Sequence, residues 1–182
     1  GEYVASLPSD DSEAIHDKKL ALRKGLALWI VGRERDAALW LRHSSVKIGR
    51  EFLGRSLLAT GHPGAAIGAF EDAEQNSDVA VAMAEACANK GDDEGCAAAL
   101  ANVDAGADKS YLEGRIQDLQ GERVAARDSY LKALEQDDDH AGALFRIAYG
   151  ESLYGDEEEA LDVYRQCIDT SCPPVNAYLN LG

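Results

Sequence analysis

The side chains with catalytic potential are few, and they do not form a known constellation. Ser44–Lys47 spells Ser-x-x-Lys, a spacing that some serine enzymes use to pair a nucleophile with a lysine. No companion motif follows it, and its place in the chain predicts a helix end with a basic residue nearby. His62 and His140 fall in predicted turns, where we expect exposed side chains. The sequence has no glycine-rich phosphate loop, His-Glu-x-x-His pair or Gly-x-Ser-x-Gly elbow, so we expect no enzyme activity.

The potential metal ligands also lack the spacing of a metal site. No Cys-x-x-Cys pair and no histidine at ligand spacing accompanies Cys87, Cys96, Cys167 or Cys172. These cysteines are predicted to be small buried side chains, with a Cys167–Cys172 disulfide at a helix end as the alternative. The acidic triplets 137–139 and 157–159 lack the glycine and alternating ligands of a calcium loop, so they predict a loop and a helix start. We expect no metal and no cofactor.

Composition and charge narrow the fold class and the partners. Of 182 residues, 46% are apolar and 7% aromatic, which favours packed helices over a β-sandwich. The net charge of −15 is uneven: residues 1–60 hold ten basic and eight acidic residues, and residues 61–182 hold eight and twenty-five. Such an acidic surface repels phosphate, so we expect no nucleic-acid partner. The longest apolar runs, Leu26–Val31 among them, are too short to span a membrane, and the expected location is the cytoplasm.

The elements that position these side chains follow from an internal repeat. A glycine recurs at steps of 29, 30, 30 and 34 residues, at Gly32, Gly61, Gly91, Gly121 and Gly155. Seven positions before it lies a small residue: Gly25, Gly54, Ala84, Gly114 and Ala148. Five positions after it lies another: Ala37, Ala66, Cys96, Ala126 and Ala160. Nine positions after it lies a large residue: Leu41, Phe70, Leu100, Tyr130 and Tyr164. This pattern predicts antiparallel helix pairs that cross closely at the small residues and are separated by a glycine cap.

These columns resemble the tetratricopeptide repeat (TPR), a helix-turn-helix unit of about 34 residues, in its bacterial type. The resemblance implies an all-α fold whose repeats stack in a right-handed superhelical solenoid. We expect an extended lead-in at 1–11 and the solenoid at 12–182. Its units are predicted near 18–46, 47–76, 77–106, 107–140 and 141–174, with a further unit starting at 175–182. Because that unit stops within its first helix, we expect a longer protein.

In the TPR family, first helices line a concave groove that binds peptides or helices. The groove positions that we expect to contact a partner hold Arg55, Tyr111, Arg115, Leu119, Phe145 and Tyr149. Tyrosine and arginine are frequent at interface hot spots. The two arginines occupy equivalent positions and are candidates for binding a carboxylate, or for ion pairs within the chain with Glu51, Glu85 or Asp118. For the two aromatic residues near 145–149, packing between first helices is the alternative.

Other TPR functions are disfavoured by particular residues. A clamp for chaperone C-termini needs lysine and asparagine at groove positions where this chain has Leu22 and Leu26. An RNA-binding helical repeat needs a basic groove. The segment from Ile15 to Ile30 combines apolar and basic residues near two tryptophans, Trp29 and Trp40. We expect these to pack in the core, with homo-oligomerisation through the N-terminal helices as the alternative.

The sequence therefore predicts a non-catalytic scaffold or adaptor that binds a protein or peptide in the concave groove, without nucleic acid and without a membrane. The alternative is a regulatory TPR module of a longer, transcription-associated protein. This alternative follows from a weaker resemblance of residues 107–182 to TPR proteins that carry a domain similar to the C-terminal domain of the RNA polymerase α subunit.

Overall fold

The computed structural model describes residues 17–171 and 173–180, and within them all regular structure is helical. The helices alternate with short turns and are named here in chain order. They are α1 (Lys18–Ile30), α2 (Glu34–Leu41), α3 (Lys47–Ala59), α4 (Pro63–Glu71), α5 (Ser77–Lys90), α6 (Asp93–Leu100), α7 (Ala107–Gln120), α8 (Arg123–Gln136), α9 (Ala141–Tyr154), α10 (Glu157–Ile168) and α11 (Val175–Asn180). The predicted all-α fold of helix-turn-helix repeats is confirmed. The predicted lead-in at 1–11 lies outside the described residues.

Local sequence explains where several helices begin and end. The carboxylate of Asp17 accepts hydrogen bonds from the N–H groups of Lys19 and Leu20, which caps the start of α1. Asn76 caps α5 in the same way through the N–H of Val79. At the end of α7, Gly121 adopts a φ of 79°, a left-handed conformation that favours glycine and satisfies the last carbonyls. The capping residues at these turns therefore determine where the helices of each repeat begin and end.

The chain divides into two compact units, at Gly1–Ala99 and Leu100–Gly182. In the first unit, α1 packs against α2 and α3 against α4, and α3 also packs against α1, α2 and α5. Close crossing depends on small residues, as the sequence predicts. A Cβ atom added at Gly54 would lie 2.5 Å from the Phe70 ring, which is fully buried in a core with Ala66 and Val79. Any larger side chain would separate the two helices of this pair.

The two tryptophans also belong to the first unit, and both are partly buried. Trp29 packs edge-to-face on Phe52, with ring centroids 4.6 Å apart. Trp40 lies under the ammonium group of Lys24, which is 3.7 Å from the ring centroid and is itself buried. The expected core packing of these tryptophans is therefore observed within this unit, and self-association through the N-terminal helices stays a prediction.

The second unit repeats the same construction with α7 to α11. Here α8 packs on α7 and α9, and α10 packs on α9 and α11. A Cβ at Gly114 would lie 2.5 Å from the Tyr130 ring and 3.0 Å from the carbonyl oxygen of Ala126. Around α9 and α10, a core of Leu144, Ala148, Ala160, Tyr164, Cys167 and Ala177 excludes water. These contacts hold α7 and α9, the first helices of their pairs, as a firm scaffold for their outer faces.

Candidate functional site

One face of the second unit carries five of the six residues predicted to contact a partner. On α7, Asp108, Tyr111, Arg115, Asp118 and Leu119 follow helical spacing along one side. Steps of 34 residues lead from these to the equivalent positions on α9: Gly142, Phe145, Tyr149, Ser152 and Leu153. These ten positions are called the first-helix face below. The Tyr111 ring lies against Gly142, where an added Cβ would be 3.0 Å away, so the two helices adjoin there.

Tyr111 and Arg115 form the buried base of this face. Their side chains are only 6% and 5% exposed, and the Arg115 guanidinium donates a hydrogen bond of 3.0 Å to the Tyr111 hydroxyl. The same guanidinium lies 5.9 Å from the centroid of the Tyr111 ring. A buried arginine is tolerated only where such contacts replace its hydration. Little of either side chain is therefore available for direct contact with a partner.

Apolar side chains that remain accessible occupy other positions of the first-helix face. Leu119, Tyr149 and Leu153 are 40%, 42% and 50% exposed. Phe145 is half-buried and stacks on Tyr149 at 6.1 Å between ring centroids, with 13° between the rings. Phe145 also contacts the buried Tyr164 ring at 6.0 Å, so it links the exposed tyrosine to the core. Sequence reasoning missed Leu153, although its position 34 residues after Leu119 is the signal that would have found it.

The polar groups of the face are acidic where they are exposed. Asp108 is accessible and accepts from His140, and Asp118 accepts a hydrogen bond of 2.5 Å from the Tyr130 hydroxyl. Burial, followed by the contact with Asp118, raises the pKa of Tyr130 well above its usual range. Tyr130 therefore keeps its proton and continues to donate to the carboxylate. Among the ten positions of the first-helix face, Arg115 is the sole basic residue and it is buried, so the accessible side chains at these positions are apolar, polar or acidic. The half-buried Arg146 of α9 lies outside these positions and lowers the pKa of Tyr130 by its charge.

His140 differs from the sequence expectation of an exposed turn residue. Its side chain is only 11% exposed, and its ring lies 4.9 Å from the Tyr111 ring. In the neutral imidazole, Nδ1 accepts from the N–H of Ala143 and caps α9, while Nε2–H donates to the Asp108 carboxylate at 3.2 Å. Burial, the largest single effect, lowers the pKa of His140. The hydrogen bond and charge of Asp108, a backbone hydrogen bond and the charge of Asp137 together outweigh it, so the net shift is upward. The histidine hydrogen bond in turn lowers the pKa of Asp108.

Arg55, the sixth predicted contact residue, lies in the first unit at the position equivalent to Arg115. Its guanidinium donates to the Glu51 carboxylate at 3.0 Å, one helical turn away. The arginine is half-buried in this arrangement. The ion pair within the chain that the sequence offered as an alternative is therefore present at this position.

Ser44 and the cysteines, the other reactive side chains that the sequence offers, are buried where the structure describes them. Ser44 is buried, and its hydroxyl accepts from the N–H of Val46 in the turn before α3, while Lys47 is exposed. Burial raises the pKa of the Cys87 and Cys167 thiols, and the Cys167 thiol donates to the carbonyl of Ala141 at 3.4 Å. Cys172, the other half of the predicted alternative disulfide, lies outside the described residues. Among the residues that the structure describes, no group of three histidine, cysteine or acidic side chains has a metal-binding arrangement.

The described helices are also too short or too polar to cross a bilayer.

These helix pairs, with small residues at each crossing and glycine between helices, define the tetratricopeptide-repeat fold. Solved structures agree. A MamA protein matches with a TM-score of 0.59 at 17% identity, over 84% of this chain and 90% of that chain. YrrB, described as a TPR protein with an unusual peptide-binding site, matches with a TM-score of 0.53 at 17% identity, over 92% of this chain and 95% of that chain. A chain of the Cut9–Hcn1 hetero-tetramer of the APC/C matches with a TM-score of 0.62 at 14% identity, over 90% of this chain and 35% of that chain. At such identities the likeness establishes the fold.

Searches by sequence gave no further relatives: no protein-family model matches the chain, and no curated protein matches it. The weaker resemblance to TPR proteins with an RNA polymerase α-like domain gains no support from the solved structures and stays a prediction.

Proposed function

We propose that the chain is a non-catalytic interaction module that binds a segment of another protein on the first-helix face of its second unit. The observation that carries this proposal is the exposure of Leu119, Tyr149 and Leu153 beside a buried Tyr111–Arg115 base. Accessible apolar side chains on packed helices are typical of protein-binding surfaces. YrrB, which shares the fold, is described as having a peptide-binding site, and this precedent supports a peptide as the ligand.

The roles within this site differ from one residue to the next. Tyr149 and Leu153 would contact the partner directly, and Leu119 would extend the apolar contact onto α7. Phe145 would fix the orientation of Tyr149 through ring stacking. Tyr111 and Arg115 would act as positioning residues. In the first unit, Arg55 would contribute only if a partner replaced its contact with Glu51.

Site-specific photo-crosslinking in cells tests this proposal. A photoreactive phenylalanine analogue is placed at Tyr149 or Leu153, and crosslinked products are identified by mass spectrometry. The control position is Val124 on α8, which is 78% exposed and therefore more accessible than either test position. We expect a distinct protein crosslinked from positions 149 and 153 and absent from position 124. Products that are identical at all three positions, or that arise only at 124, would show that the partner binds elsewhere.

A further inference from the structure

The second unit is strongly acidic, and its charges are unevenly accessible. Residues 100–182 contain seven lysines or arginines and seventeen acidic residues, a net charge of −10. Several of the basic groups are already engaged within the unit. Arg127 contacts Glu151 at 3.1 Å and Glu159 at 3.8 Å, and Arg165 contacts Asp162 at 2.6 Å. A partner that approaches this unit therefore meets a field that attracts positive charge.

The charged side chains that are exposed at the positions of the first-helix face are also acidic. Its basic residue, Arg115, is 5% exposed and donates to Tyr111. Its two acids stay accessible: the Asp108 side chain is 63% exposed, and Asp118 is also exposed. Each carboxylate has acceptor capacity beyond the single hydrogen bond from His140 or Tyr130. Exposed negative oxygens therefore lie on the same helix face as the apolar side chain of Leu119.

We infer, resting on the function proposed above, that the partner segment is a basic one. It would insert an aliphatic or aromatic side chain among Leu119, Tyr149 and Leu153, and its lysines or arginines would contact Asp108 and Asp118. Charge-assisted hydrogen bonds to the two carboxylates would fix the register of the segment along α7. Association would accelerate at low ionic strength, because opposite charges steer the encounter.

Selection from a displayed library of short random peptides tests the inference on the full chain. An acidic protein retains basic peptides without specificity, so the library is first depleted on a Tyr149→Ala, Leu153→Ala variant, which has the same net charge. We expect peptides retained only by the unaltered chain to carry a net positive charge and at least one large apolar residue. Retained peptides that are neutral or acidic would overturn the inference and leave the proposed interaction site standing.

The selected peptides are then measured by fluorescence anisotropy against charge variants. We expect Asp108→Asn with Asp118→Asn to weaken binding by about tenfold, since each exposed ion pair contributes a modest amount. The matched control is Asp128→Asn with Glu135→Gln on α8, which removes the same charge from exposed positions outside the face. Equal weakening by both double variants would reduce the effect to net charge and overturn the inference. A selection that retains no peptide would also overturn it, and crosslinking from position 149 would then decide the proposed function separately.

Discussion

The guanidinium of Arg115 donates a hydrogen bond to the hydroxyl of Tyr111 one helical turn earlier, at 3.0 Å, and both side chains are buried. The sequence predicts that Tyr111 and Arg115 contact a partner, whereas the structure shows them bonded to each other and buried. A buried cation with its partners in place stabilises one arrangement of α7, whereas an exposed cation would bind a ligand. Under the proposed function, the accessible residues around the pair are the contact surface and the pair supports them.

The first prediction separates these two roles by removing one oxygen atom. In Tyr111→Phe the buried guanidinium loses an acceptor, which lowers the free energy of unfolding by about 1–3 kcal/mol. The matched control is Tyr149→Phe, in which a 42% exposed tyrosine loses its hydroxyl and the change stays within about 0.5 kcal/mol. Urea denaturation followed by circular dichroism measures both. If Tyr111→Phe abolished partner binding without any loss of stability, Tyr111 would contact the partner directly.

The helix pairs of the fold can be predicted from the sequence because the spacing of glycines, small residues and large residues determines which side chains meet. A residue seven positions before a turn glycine and a large residue nine positions after it must meet when two helices fold back on each other. Gly114 and Tyr130 do meet, and so do Gly54 and Phe70. The periodic spacing of small and large residues therefore predicts the helix pairs without information from the rest of the chain.

Exposure within the site could not be predicted in the same way. Arg115 and Tyr149 occupy equivalent positions 34 residues apart, yet one is buried and the other is 42% exposed. The difference depends on side-chain conformation and on neighbours from other helices, such as Gly142 beside Tyr111. The sequence predicts an exposed His140 for the same reason, because nothing in the neighbouring residues reveals the Tyr111 ring that lies beside it.

The second prediction concerns the close helix crossing at Gly114. A Cβ there would lie 2.5 Å from the Tyr130 ring, so Gly114→Ala must displace a buried side chain and should cost about 1–3 kcal/mol of stability. Gly150 is the control, because an added Cβ would meet no heavy atom within 4 Å on the same type of helix. Gly150→Ala should raise stability by up to about 1 kcal/mol through its helix propensity. Thermal unfolding should therefore shift in opposite directions, and equal shifts would contradict the packing described.

The third prediction is a titration of His140. Burial lowers the pKa of this histidine, but Asp108, together with a backbone hydrogen bond and the charge of Asp137, raises it above its ordinary value of 6.5. Folded protein therefore holds this proton more tightly than unfolded protein. The stabilisation from this contact is complete below the unfolded pKa and is lost as the pH rises through the folded pKa.

Nuclear magnetic resonance of the imidazole signals measures that pKa directly. Asp108→Asn should lower the pKa of His140, since it removes the negative charge 3.2 Å from Nε2. Asp128→Asn on α8 removes the same charge without altering this contact, so the pKa of His140 should stay unchanged. An unchanged midpoint in Asp108→Asn would mean that the charge of Asp137, which also raises the pKa of His140, dominates.

The last prediction asks what the acidic start of α10 contributes. The Asp156 carboxylate oxygen Oδ1 accepts from the N–H groups of Glu158 and Glu159, at 2.7 and 3.3 Å. Asp156→Ala should therefore cost about 1 kcal/mol in the free energy of unfolding, as loss of an N-cap acceptor does. Asp156→Asn keeps an acceptor oxygen but removes the charge, so it should retain most of the stability of the unaltered chain. If urea denaturation showed equal losses for alanine and asparagine, attraction of negative charge to the helix dipole would account for the cap, and Glu157–Glu159 would share that role.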